Sequence, residues 1–133
     1  MTLRRVAAGL ALAGAGIAAY LTWTHLANTA PVCATGGCEV VQHSRYAELA
    51  GIPVAALGLV AYVTILGLVL LDTPALRVVA AALAAVALAF NLYLLALQLF
   101  VIEAICSWCV GNEVIALALA AVTAVWTRQP QPD

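Results

Sequence analysis

Long runs without a formal charge dominate this chain, separated by short polar breaks. A helix needs roughly 20 apolar residues to cross about 30 Å of hydrocarbon. Residues 6–25 and 52–71 meet that length, and Gly51 and Pro53 mark the start of the second run, where a missing N–H does no harm. Residues 78–102 form a third run, interrupted only by the amides Asn91 and Gln98, and Asp72, Thr73 and Pro74 supply the short turn before it. The last apolar run, 114–126, is too short to span alone. Starting that helix near Cys106 restores a sufficient length over 106–126 and places Cys106, Cys109 and Glu113 at its beginning. The pattern predicts an all-α integral membrane protein, one domain over 1–133, built as a four-helix transmembrane bundle with an outer loop over about 26–51.

Composition sharpens that picture, because 66% of the 133 residues are hydrophobic and only 8% are charged. A soluble domain of this size needs far more polar surface, so lipid is the expected surrounding. The net charge is −1, lysine is absent and the arginines are scattered, which excludes the basic patch that a nucleic-acid partner requires. Arg4 and Arg5 precede the first helix, Arg77 lies in the turn between the second and third, and Arg128 follows the fourth. Four spans put all of these on one side and leave Arg45 alone on the other. Short basic segments stay cytoplasmic, so both termini are expected inside and all four cysteines outside the cytoplasmic (inner) membrane. The first apolar stretch exceeds the 7–15 residues of a signal-peptide core and is expected to be retained as a helix.

The candidate chemistry sits in two cysteine pairs, Cys33-Ala-Thr-Gly-Gly-Cys38 in the outer loop and Cys106-Ser-Trp-Cys109 at the start of the fourth helix. Two pairs on one oxidising face suggest disulfides. Gly36 and Gly37 allow the first pair to close a short ring or let one sulfur swing away. In the second pair, helix N–H groups and the macrodipole favour the thiolate of an exposed first cysteine, suiting it to exchange. A Cys-x-x-Cys ring removes little unfolded-state entropy, so it makes a poor static clamp. A structural membrane protein with inert disulfides or a zinc site of four cysteines is the competing reading. Haem attachment is excluded, because Val110 rather than His follows Cys109.

Cys33 and Cys38, then Ser44, Gly51-Ile52-Pro53, Gly58 and Tyr62, and finally Cys106-Ser-Trp-Cys109 resemble the bacterial homologues of vitamin K epoxide reductase, over nearly the whole chain. The order of the pairs matters, since the DsbB-type disulfide generators place Cys-x-x-Cys in the first outer loop instead. The resemblance implies a disulfide-forming oxidoreductase that reoxidises an extracytoplasmic thioredoxin-fold thiol protein and passes electrons to a membrane quinone, ubiquinone or menaquinone, without a metal. It implies that Cys106 and Cys109 are the active-site pair, with Cys109 nearest the quinone. Cys33 and Cys38 would be the shuttle, Cys33 facing the thiol partner and Cys38 exchanging with Cys106. Ser44 matches a serine in the segment covering the site; it is equally placed to cap a short helix through Tyr46 and Leu49. Val54 stands where many relatives have a quinone-facing asparagine, and Glu113 where the vertebrate enzymes have a tyrosine, so the resemblance does not extend to epoxide reduction.

Glu113 has its own case, since a carboxylate near the membrane boundary is costly and a functional candidate by default. Four residues after Cys109, it shares that cysteine's helix face. The alternative is an interfacial carboxylate exposed to headgroup water beside Asn112. Asn91 and Gln98 also share a face, where interhelical hydrogen bonding is the usual role of membrane amides. Trp23 and Trp126 read as interfacial anchors, and Gly14, Gly58 and Ala84 as points of close helix approach.

Overall fold

The computed structural model describes residues 2–27, 48–49, 51–103 and 105–128. Four helices in it are long and apolar enough to cross a membrane: α1 (Thr2–Leu26), α2 (Val54–Leu71), α3 (Pro74–Leu97) and α4 (Ser107–Thr127). Two short strands, β1 (Glu48–Leu49) and β2 (Ile52–Pro53), pair antiparallel just before α2. Gly51 between them takes φ of 82°, a region open to glycine and costly for most other residues. Glu48 and Leu49 are therefore extended, so the expected helix through Leu49 does not include them; Ser44 and Tyr46 lie outside the described residues.

Local sequence sets the boundaries. Pro53 is the N-cap of α2 with φ −57°, which its ring already imposes. Asp72 ends α2 in the left-handed region, its N–H bonding the Leu68 carbonyl. Thr73 then caps α3 by accepting from Leu76 N–H at 3.3 Å, with Pro74 at the first turn. Arg77 thus belongs to the first turn of α3 rather than to the connecting turn. At its far end α3 widens into a π-helical turn, Gln98–Ile102, which Glu103 closes at φ 57° with its N–H on the Gln98 carbonyl.

Each helix buries one stripe at spacings of three and four. The stripes are Ala7, Ala11, Ala15 and Ala18 on α1; Tyr62, Ile65 and Val69 on α2; Arg77, Ala80 and Ala84 on α3; and Ala116, Leu119, Thr123 and Trp126 on α4. Alanine dominates the buried faces while Val60, Val63, Val86, Val114 and Leu117 point outward. Small residues inside and branched ones outside suit a bundle whose solvent is lipid, where close backbone approach replaces hydrophobic exclusion. Gly14 is the tightest such approach, since a Cβ there would run into the Tyr62 ring. Gly58 is looser, with the nearest atom, Ala18 Cβ, at 4.0 Å.

The end where α1 begins, α2 meets α3 and α4 finishes is tied by charge. Arg77 is buried, donates to Asp72 Oδ1 at 2.9 Å and to the Trp126 carbonyl at 3.3 Å, and lies 4.6 Å from the Trp126 ring centroid. Arg4 donates to the carbonyls of Val69 and Leu70. Trp126 is accordingly a core residue and not an exposed anchor, because the buried guanidinium needs its carbonyl and its ring face; Trp23 is exposed as expected.

Candidate functional site

The opposite end of the bundle, where α1 and α3 finish and α2 and α4 begin, gathers the chemistry. Cys106 is the N-cap of α4: its Sγ accepts from Cys109 N–H at 3.3 Å and its carbonyl accepts from Val110 N–H at 3.0 Å. Its own N–H donates to Gln98 Oε1 at 2.9 Å, so an amide from the π-helical turn fixes the start of the Cys-x-x-Cys helix. Sulfur in the cap position sits among the helix N–H groups that favour negative charge there. The expectation of an exposed first cysteine is corrected, however. Cys106 is fully buried, packed by Ile102, Trp108 and Cys109, and the Trp108 ring in turn lies tilted against Tyr20 of α1, with centroids 5.2 Å apart.

Cys109, one turn further on, is half-buried and faces a cavity of about 350 Å³ to which all four helices contribute. That volume lies within the range of small-molecule sites. Most of the wall is apolar, from Ile17 and Leu21 on α1 through Gly58 and Ile65 on α2 to Phe90 and Leu94 on α3. The polar groups in it are few: Tyr62, Asn91, Gln98, Asn112 and Glu113. Glu113 Oε1 is shielded and has no hydrogen-bond partner among the described residues. Such an atom carries a desolvation cost that a ligand or a proton can relieve.

Three of the residues expected to contact a ligand, Cys109, Glu113 and Val54, thus line one cavity. Cys33, Cys38 and Ser44 lie outside the described residues. Among the described residues no three His, Cys, Asp or Glu side chains come together. Sequence reasoning missed the linkage of Tyr62, Asn112 and Asn91, in which Tyr62 O–H donates to Asn112 Oδ1 at 2.6 Å and Asn112 Nδ2 donates to Asn91 Oδ1 at 2.9 Å. Asn91 does bond between helices as expected, and Gln98 reaches the next helix's first backbone N–H. The available signal was Asn112 beside Glu113 at the height of the cysteines, but nothing in the sequence aligned Tyr62 with it.

The mainly apolar wall, with a cysteine and a shielded carboxylate in it, suits a largely apolar ligand that carries a few polar atoms. Among family models, the one described as Vitamin K epoxide reductase family matches residues 5–124.

Proposed function

The chain belongs to the vitamin K epoxide reductase family and is a membrane thiol oxidoreductase, and from that premise we propose that it oxidises an extracytoplasmic thioredoxin-fold dithiol at the expense of a membrane quinone. The observation that carries this reading is Cys109 in the wall of a largely apolar cavity among four membrane-spanning helices. Cys109, Val54 and Glu113 would hold the quinone head. The quinone, of ubiquinone or menaquinone type, supplies an acceptor for two electrons and two protons, the yield of one dithiol closing to a disulfide.

Each cysteine takes one part of the transfer. Cys33 exchanges with the partner's thiols, leaving the partner oxidised and Cys33 and Cys38 reduced. Cys38 then attacks the Cys106–Cys109 disulfide at Cys106, forming a mixed disulfide that Cys33 resolves, so that the electron pair passes to the Cys106–Cys109 dithiol. The helix cap favours negative charge on Cys106 as the bond to Cys38 breaks. Reclosure of Cys106 and Cys109 delivers the pair at Cys109. Glu113, one turn along the same face, provides or relays a proton, and Ser44 belongs to the loop that covers the site. The protein sits in the cytoplasmic membrane with both termini inside and the cysteine end outside.

Turnover of a short-chain quinone by the detergent-purified chain, driven by dithiothreitol and followed by quinone absorbance, tests this. Wild type is expected to turn over and Cys109→Ala to fall to background. Quinone turnover retained in Cys109→Ala would overturn the assignment of electron delivery to that sulfur.

A further inference from the structure

Tyr62, Asn112 and Asn91, on α2, α4 and α3, form one directional hydrogen-bond chain in the cavity wall, and its direction is set from one end. Asn91 Nδ2 donates to the Ala87 carbonyl at 2.8 Å. A backbone carbonyl only accepts, so the group of Asn91 facing it is the NH2 and Asn91 Oδ1 turns toward Asn112. That oxygen also only accepts, which makes the Asn112 group on it the amide nitrogen, at 2.9 Å. Asn112 Oδ1 is then left for Tyr62, whose O–H donates to it at 2.6 Å. The chain admits no reversal without breaking the Ala87 bond.

After these bonds each amide nitrogen retains one N–H, and both amides line the cavity with Cys109 and Glu113. Both asparagines are half-buried, and an N–H left without an acceptor is rarer in folded proteins than an oxygen with one empty lone pair. Beside the unpartnered Glu113 Oε1, the wall thus also offers two amide N–H groups to an acceptor on a ligand.

We propose that Asn91 and Asn112 are the donors that hold a carbonyl oxygen of the quinone head, and that Tyr62 is the positioning residue that keeps Asn112 turned to donate. The inference rests on the cavity being the quinone site. Without the Tyr62 hydroxyl the Asn112 amide can rotate and offer oxygen where the ligand needs N–H. The chain thus fixes the head's orientation relative to Cys109, while Glu113 remains available for the proton.

The test uses the full-length protein in detergent and a short-chain quinone labelled with ¹³C at its carbonyls. Binding to wild type is expected to lower the infrared carbonyl stretch relative to the same quinone in detergent alone. Asn112→Leu and Asn91→Leu should return the stretch toward the detergent value. They should raise the quinone KM about tenfold, the scale of one lost hydrogen bond, with a smaller effect on kcat. Tyr62→Phe keeps the ring against Gly14 and should give a partial return of the stretch, so it reads the same quantity if a leucine variant fails to fold. Variants that lower thermal stability yet leave the bound stretch and KM at wild-type values overturn this assignment alone. A wild type that neither binds nor reduces the quinone overturns the cavity reading with it.

Discussion

Glu113 Oε1 is shielded from water and has no hydrogen-bond partner among the described residues, four positions after Cys109 on the same face of α4. Leaving such an atom unmet costs about 1–3 kcal/mol, and more when charged. An apolar side chain would avoid the cost, so the carboxyl is best explained by what enters the cavity. Replacement by Gln keeps shape and hydrogen bonding but removes titration, whereas Ala removes both. If Glu113 relays a proton, Glu113→Gln should lower kcat about 10²-fold, within the range of general acid–base contributions, with quinone KM near wild type. Glu113→Ala should raise KM as well. Unchanged kcat and KM in both variants, measured with dithiothreitol and a short-chain quinone across the pH range of activity, would reduce Glu113 to an interfacial charge. The cysteines illustrate what single residues disclose. Their spacing suggests redox chemistry but not the burial of Cys106, against which Ile102 and Trp108 pack while Gln98 Oε1 accepts from its N–H.

Among elements, the pairing of α1 with α2 depends on Gly14, where a Cβ would overlap the Tyr62 ring. Gly14→Ala should cost about 1–3 kcal/mol, the usual range for overpacking, and because the ring carries the hydroxyl bonded to Asn112 it should also weaken quinone binding. Thermal unfolding in detergent measures the first effect. Adding Tyr62→Val should recover part of the lost stability, and strictly additive losses would show that the contact is not the cause. The four spans were legible because uncharged length is a property of each segment by itself. The short turn at Asp72, Thr73 and Pro74 was legible for the same local reason, and the structure makes Asp72 and Thr73 the caps of the two helices it joins. Trp126 was not: its burial under Arg77 depends on where the end of α4 falls against the start of α3, 49 positions earlier in the chain. The loop pair makes a further prediction at this scale. Cys33→Ala or Cys38→Ala should spare turnover driven by a small diffusible dithiol and block turnover driven by a reduced thioredoxin-fold protein. Equal loss with both donors would count against a shuttle, because a small dithiol can exchange at the half-buried Cys109 in the cavity wall without it.

Across the whole molecule the two ends of the bundle are built differently. The cysteine end holds a cavity among the four helices, and an open space there gives up packing that the remainder must supply. The other end is clamped by Arg4 on the carbonyls of Val69 and Leu70, by Arg77 on Asp72, and by Trp126 beneath Arg77, so α1, the α2–α3 turn and the end of α4 are fixed together. Four of the arginines, Arg4, Arg5, Arg77 and Arg128, fall at this end, the end that the proposed orientation takes as cytoplasmic. Burying the Arg77 guanidinium is tolerable only while its charge and donors are met, and Asp72 supplies the opposing charge at 2.9 Å. Asp72→Asn isolates that charge. Asparagine accepts the left-handed backbone that position 72 adopts at φ 48° and keeps an oxygen for Arg77. The loss should therefore be about 2 kcal/mol, below the roughly 3–5 kcal/mol seen when a buried ion pair loses one partner outright. Thermal unfolding in detergent should show a lower midpoint, while quinone KM and kcat stay at wild-type values, because the cavity lies at the other end. An unchanged midpoint would mean that the Trp126 carbonyl and ring suffice to hold Arg77. A lower midpoint together with a raised KM would mean that the two ends are coupled and that the clamp shapes the cavity.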